Sequence, residues 1–305
     1  GTELLILAEG DAGVKLYYNN SLKLETTTNG VDVSGSITAD NYHGRNLIVN
    51  GDCCVAQRGT SDTSSDQGYT TVDRFYIYWT GADAIIETHQ QALVSSDTGP
   101  WDEGHRYAYK LMNGNQTSGA GADDMCNPQY KIEAQDLASS GWDYESDASF
   151  VTLSFWVKSS VAQTFHGYLY TEDGTNQGYS FSYTCAANTW LKVTKTIPGN
   201  GNITFDSNNQ PGLIIVLPTF LGTNKTDSGN TVDTWAAYSG TSRTPDYTST
   251  WWTTNDATWA ITGLQLEVGK VATKFEHKSY AQNLAECQRY YYKHAEGSGQ
   301  NISDG

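Results

Sequence analysis

Residues 150–158 constrain the fold more than any other stretch. Phe150, Thr152, Ser154 and Trp156 alternate with Val151, Leu153, Phe155 and Val157. A period of two places the second set on one wholly apolar face of a strand, which predicts that this face packs inward. The pattern returns at 74–79, 107–111, 166–170, 179–183, 190–197, 213–217, 259–262 and 264–267, and a short apolar run at 47–49 precedes Asn50-Gly51. Turn residues such as Gly81 and Asn113-Gly114 separate these runs. Roughly nine to eleven such strands with long loops predict an all-β fold, a jelly-roll β-sandwich over residues 45–275.

The flanking segments read differently. Residues 1–44 carry strands of only three to five residues, broken at Asn19-Asn20, Asn29-Gly30 and Ser34-Gly35. Strands that short build no core within one chain, so either they dock on the next domain or several chains wrap together; three chains interleaved into a β-stem are expected. Its contacts would come from Val14, Leu16, Leu22, Leu24, Val31 and Val33. Residues 276–305 hold the one good helical pattern, expected over 277–295. Ser279 and Gln282 have capping-box spacing, and Tyr280, Leu284, Cys287 and Tyr291 form a stripe. Two heptads are too short for an independent coiled coil, so this helix needs the sandwich or symmetry mates, with Leu284 and Tyr291 as further trimer contacts. The Gly/Ser/Asn-rich tail from 297 to 305 is expected to fray.

Charge narrows the partners. Eighteen basic against 34 acidic residues leave a formal net charge of −16, which repels phosphate backbones and argues against nucleic acid and anionic membrane surfaces. No apolar run is long enough to span a bilayer, and residues 1–10 lack the pattern of a secretory leader. The five cysteines, two of them adjacent, have no Cys-x-x-Cys spacing; free, buried thiols in a chain folded in a reducing cytoplasm are expected.

No phosphate loop, zinc-protease motif or nucleophile elbow is present. The acidic pairs Asp123/Asp124 and Glu172/Asp173 could be drawn as glycosidase carboxylates, but adjacent acids in loops are usually solvated, and no enzyme is expected. No cofactor is expected either; a structural calcium ion near Asn50, Asp52 and Glu267 is the single metal idea, with ordinary turn chemistry as its alternative. The aromatic loops are more informative. Trp251, Trp252, Tyr247 and Tyr238 lie among Thr, Ser, Asn and Asp, as do Trp101 at 99–105 and Trp142 and Tyr144 at 141–147. Aromatic rings that stack on sugar C–H faces beside short polar groups are the chemistry of a carbohydrate site; the competing reading is that these large rings are core.

Two blocks carry a family likeness. Residues 46–52 (Asn-Leu-Ile-Val-Asn-Gly-Asp), 56–60 and 73–75 resemble the start of the C-terminal module of many bacteriophage tail fibres. Residues 261–269, 272–277 and 287–292 (Cys-Gln-Arg-Tyr-Tyr-Tyr) are similar to its end, with Lys274 where that family often has proline. The stem at 14–25 and 30–37 is similar to fibre shafts of phages of marine bacteria, cyanobacteria included. The resemblance implies a homotrimeric virion protein joined to other tail proteins on its N-terminal side. It would attach to a host-surface glycan and carry no catalytic residues. Two other readings stand beside it: a secreted carbohydrate-binding module or adhesin, and a polysaccharide depolymerase. Arg58, Arg74 and Glu267 are read as a buried pairing, with separate surface charges as the alternative.

Overall fold

The protein is described here from a computed structural model, which places residues 4–9, 13–28, 30–34 and 44–294. The expectations for 35–37 and for the tail from 297 fall outside these residues. The chain divides into two compact units, Gly1–Tyr42 and His43–Gly305.

The first unit is a four-stranded antiparallel meander, β1 (Ile6–Glu9), β2 (Gly13–Tyr18), β3 (Ser21–Thr27) and β4 (Gly30–Val33). Asn19 and Asn20 join β2 to β3 with φ of 48° and 57°, the two left-handed residues that a tight hairpin matching strand twist requires. The register sets Ile6, Leu16, Leu24 and Val33 side by side across all four strands. Ala8 opposite Val14, and Thr26 opposite Val31, extend the same face. That face is apolar and open: Ile6 is 63%, Leu16 37% and Val31 61% exposed. The other face carries an ion pair between Lys15 and Glu25 at 3.5 Å.

The second unit is a two-sheet antiparallel sandwich of jelly-roll type. Its strands are β5 (Ser61–Asp62), β6 (Phe75–Thr80), β7 (Ile86–Ala92), β8 (Tyr107–Asn113), β9 (Met125–Glu133), β10 (Phe150–Ser159), β11 (Gln163–Thr171), β12 (Gln177–Cys185), β13 (Leu191–Pro198), β14 (Pro211–Val216), β15 (Phe220–Leu221), β16 (Trp235–Ala237) and β17 (Thr258–Val268). One sheet has the order β13-β10-β17-β8-β7-β5; the other runs β15-β9-β14-β11-β12-β16, with β6 also paired to β9. As the alternation predicts, Val151, Leu153, Phe155 and Val157 are fully buried between the sheets, facing Phe165, Phe181, Leu213 and Ile215 of the other layer. Among the described residues three short helices complete the unit: α1 (Ala134–Ala138), α2 (Thr250–Thr253) and α3 (Tyr280–Gln288).

Several expectations are corrected. Residues 47–49 form no strand; Leu47 only donates its amide to the Leu266 carbonyl at 2.9 Å. Helix α3 carries the expected Ser279–Gln282 capping box but ends at Gln288, short of 295. The chain turns there because Tyr290 and Tyr291 meet guanidinium groups of the sandwich: Arg74 lies 3.4 Å from the Tyr290 ring centroid and Arg58 3.6 Å from that of Tyr291. Tyr291 therefore packs on its own chain, and Leu284 is half-buried on α3. Arg58 pairs with Asp73 at 3.4 Å rather than with Glu267, which takes Arg45 at 3.5 Å and the Thr273 hydroxyl at 2.6 Å. All five cysteines are free, four of them buried and Cys54 half-buried.

Candidate functional site

The outer face of the β15-to-β16 sheet is unusual because it too is apolar. Strand β11 sends Phe165 and Leu169 inward and His166, Tyr168 and Tyr170 outward. Tyr168 joins Met125, Ile214, Val216 and Leu221 in a second buried cluster. A face of that kind needs cover, and the segment 222–249 supplies it. Tyr247 is its anchor: its hydroxyl accepts from the His166 amide at 3.0 Å and donates to the Pro218 carbonyl at 3.0 Å.

Tyr238 lays its ring on Tyr170, centroids 4.5 Å apart and planes 14° from parallel, with Tyr168 at 6.3 Å. A Cβ at Gly178 would come within 3.3 Å of the Tyr238 ring, so the bare backbone there lets the ring lie close to β12. Burial pushes the Tyr168 and Tyr170 phenols up, Tyr238 adding to both and Glu172 to Tyr170 while Arg243 pulls the other way, so both rings remain neutral.

Beside this stack the covering segment leaves a hollow of about 380 Å³, lined by Tyr168, Tyr238 and a polar rim. The rim is braced by its own hydrogen bonds. Ser180 donates to Asn230 Oδ1 at 2.7 Å, and Asn230 Nδ2 donates to the Ser242 carbonyl at 2.9 Å. Asp227 accepts from the Gly229 amide at 2.8 Å and the Ser242 hydroxyl at 3.3 Å. Arg243 completes the lining. A second, more open hollow of about 430 Å³ shares Ala236 and Ala237 with the first and adds Trp235, Asn200, Asn202 and Thr175. The indole of Trp235 is fixed by donation to the Pro198 carbonyl at 2.7 Å.

Of the seven aromatic residues singled out from sequence, Tyr238 alone lines this hollow. Trp251 and Trp252 are corrected: both are 0% exposed, because residues 250–253 form a helical turn enclosed by the sandwich rather than a strand with one outward face. The Trp252 ring stacks on Phe220 at 5.2 Å and donates to the Gly119 carbonyl at 2.8 Å. Trp142 is likewise core, against Phe205, and Tyr144 leans on the same ring. Trp101 is half-buried under Arg106, at 3.8 Å. Tyr247 is the anchor described above. Sequence reasoning missed Tyr168, Tyr170, Ser180, Asn230 and Arg243. The outward set His166-Tyr168-Tyr170, opposite an apolar inward set, is the pattern that could have exposed the first two.

The calcium idea finds its residues engaged elsewhere. The Asn50 amide donates to the Val55 and Asp73 carbonyls, both at 2.9 Å, while Glu267 is held by Gln265, Thr273 and Arg45. Among the described residues no group of three or more His, Cys, Asp or Glu side chains is placed to hold a metal ion. Asp123 pairs with Lys225 at 3.1 Å and Asp124 accepts from the Gly121 amide, so the first acidic pair is also committed.

No protein-family profile matches the chain, and no curated protein matches it. Among solved structures, the chain is similar to the N-terminal cellulose-binding domain of a Cellulomonas fimi β-1,4-glucanase, at 10% identity over 72% of this chain and all of that one, TM-score 0.36. A Bacteroides thetaiotaomicron protein described as sugar-binding gives 9% identity over 74% and 100%, TM-score 0.39. A tandem of CBM22 domains from Paenibacillus barcinonensis gives 13% over 79% and 55%, TM-score 0.36.

Proposed function

We propose that the sandwich unit binds polysaccharide without cleaving it, through the hollow beside Tyr238. The observation that carries this reading is the Tyr170–Tyr238 stack set against a braced polar rim. A sugar ring is flat and apolar on its C–H faces and polar around its edge. A tyrosine wall with hydroxyl, amide and carboxylate groups around it complements both, and the hollow has the volume of an ordinary small-ligand site. Asp227 is the one carboxylate on that lining, whereas glycoside hydrolysis uses two across the scissile bond.

The test is affinity electrophoresis against a panel of soluble polysaccharides, with the wild type beside Tyr238→Ala. Retardation on at least one polymer, lost in the variant at unchanged fold, is expected. Equal retardation of both proteins would sink the site assignment, and new reducing ends released from the polymer would sink the non-catalytic reading.

The open apolar face of the first unit favours a second, compatible reading. Among the described residues of this unit, no second layer covers the four-stranded sheet with Ile6, Leu16 and Val31 exposed, and copies of the chain would complete it. Three copies would display three glycan sites, and avidity would follow without any new contact. Attachment of a phage tail fibre to a host-surface glycan is the biological form of this arrangement, with other tail proteins on the N-terminal side.

A further inference from the structure

We infer that the glycan taken by this hollow is acidic, with Arg243 receiving its carboxylate or sulfate; the inference rests on the binding reading above. The six arginines make the case by contrast. Arg45, Arg58 and Arg289 reach carboxylates, Glu267, Asp73 and Glu133, at 3.5, 3.4 and 2.7 Å. Arg74 lies on Tyr290 and donates to the Lys131 carbonyl at 2.5 Å, and Arg106 lies on Trp101 and donates to two carbonyls. Arg243 has none of these. Its Nε is buried without an acceptor, and its Nη1 meets only the thioether of Met125 at 3.5 Å, a weak acceptor.

Leaving a guanidinium half-buried and unpaired is costly, and more so beside an apolar tyrosine cluster than in water. The backbone that carries it is held in place. The Arg243 amide donates to the Lys225 carbonyl at 3.1 Å, and the carbonyls on either side accept from Asn230 Nδ2 and the Asp227 amide. A guanidinium on the lining of an aromatic hollow, with no carboxylate of its own chain, matches a carboxylate or sulfate group on a sugar ring. Asp227 on the same lining already accepts two hydrogen bonds and is left to receive a sugar hydroxyl. In a chain of net charge −16, a lone cation here is a local selector, not part of a general anion-binding surface.

The experiment is calorimetric titration of the full chain in 0.15 M salt with three sets of oligosaccharides of matched length: oligogalacturonates, sulfated galactan oligomers, and neutral gluco- and xylo-oligomers. Arg243→Gln, Arg243→Lys and Tyr238→Ala are run beside the wild type, each checked by thermal melting. One acidic set is expected to bind at least tenfold tighter than the neutral sets. Which set does so identifies carboxylate or sulfate. Arg243→Gln should erase that preference, Arg243→Lys should keep part of it, and Tyr238→Ala should weaken every ligand. An acidic preference that survives Arg243→Gln, or a wild type that prefers neutral sugars through Tyr238, overturns the charge inference alone. Binding that no Tyr238 change affects, or no binding to any set, overturns the site itself.

Discussion

The guanidinium of Arg74 lies 3.4 Å from the centre of the Tyr290 ring, so the residue just before β6 grips the chain just beyond α3. Arg289 adds a 2.7 Å ion pair to Glu133, and Arg58 covers Tyr291. The closing segment is thereby fastened by Arg58 and Arg74 to the opening of the sandwich and by Arg289 to the end of β9.

Tyr290→Ala should release this segment. The expected loss is ~1–2 kcal/mol of stability, the scale of a desolvated cation–π contact. Hydrogen exchange should quicken at residues 280–291 while the protection of β10 and β17 is unchanged. Unaltered protection at 280–291 would show that the contact holds nothing in place.

Trp252→Ala tests the enclosed helical turn. Removing a ring buried against Phe220 should cost about 3–5 kcal/mol in urea unfolding. In whatever fraction remains folded, glycan affinity should match the wild type. A sugar-contacting Trp252 would instead lose affinity with little change in stability.

His105 predicts a pH dependence. Burial first, and then the nearby His277, Lys192 and Arg106, lower its pKa from 6.5 to about 3. The imidazole is 1% exposed, packs on Phe275 with ring centres 4.7 Å apart, and neither nitrogen has a partner. Between those two values the unfolded chain binds the proton and the native state does not, so stability falls as pH drops. The slope from this group approaches about 1.4 kcal/mol per pH unit. Asp52 and Asp73, whose carboxyls are raised by burial, act in the opposite sense. The measurement is therefore the difference in stability-against-pH profile between the wild type and His105→Leu, which should be flatter from pH 6.5 down to 3. Parallel profiles would exclude the assignment.

The stem predicts an assembly. Light scattering of the full chain should give three times 33.4 kDa. Leu16→Asp with Leu24→Asp, two neighbours on the open face, should return the single-chain mass without altering glycan binding per chain. A wild-type monomer would remove the trimer and leave the binding site standing.

The sandwich was legible because its strands obey a strict period. Val151 to Val157 could not be read as anything but an inward face, and β17 was legible from Leu264 and Leu266 opposite Gln265 and Glu267, which hydrogen-bond to each other at 2.9 Å. The hairpin at Asn19-Asn20 was equally plain, since few residues but asparagine and glycine adopt two successive left-handed conformations. The hollow beside Tyr238 was not. Tyr168 and Tyr170 sit in a strand pattern that looks complete without them, and their partners arrive from residues 227–243, some sixty residues later. Trp251 and Trp252 misled for the reverse reason: a polar neighbourhood in sequence became a buried turn, because the asparagine side chain at 113 accepts their exposed-looking backbone into the fold, donating to both carbonyls at 3.1 and 2.6 Å. Pairing across loops depends on which face needs cover, and that is settled only when the sheets meet.

The thiols have a practical consequence. Cys53, Cys126, Cys185 and Cys287 are enclosed, and burial, with the adjacent Asp52 next, pushes the half-buried Cys54 up to about 12. Burial therefore keeps these thiols protonated and weakly nucleophilic near neutrality, and no disulfide joins them. A cysteine introduced at an exposed position would react with a maleimide dye ahead of the natural thiols, so distances to the hollow beside Tyr238 could be measured spectroscopically without first removing any natural residue.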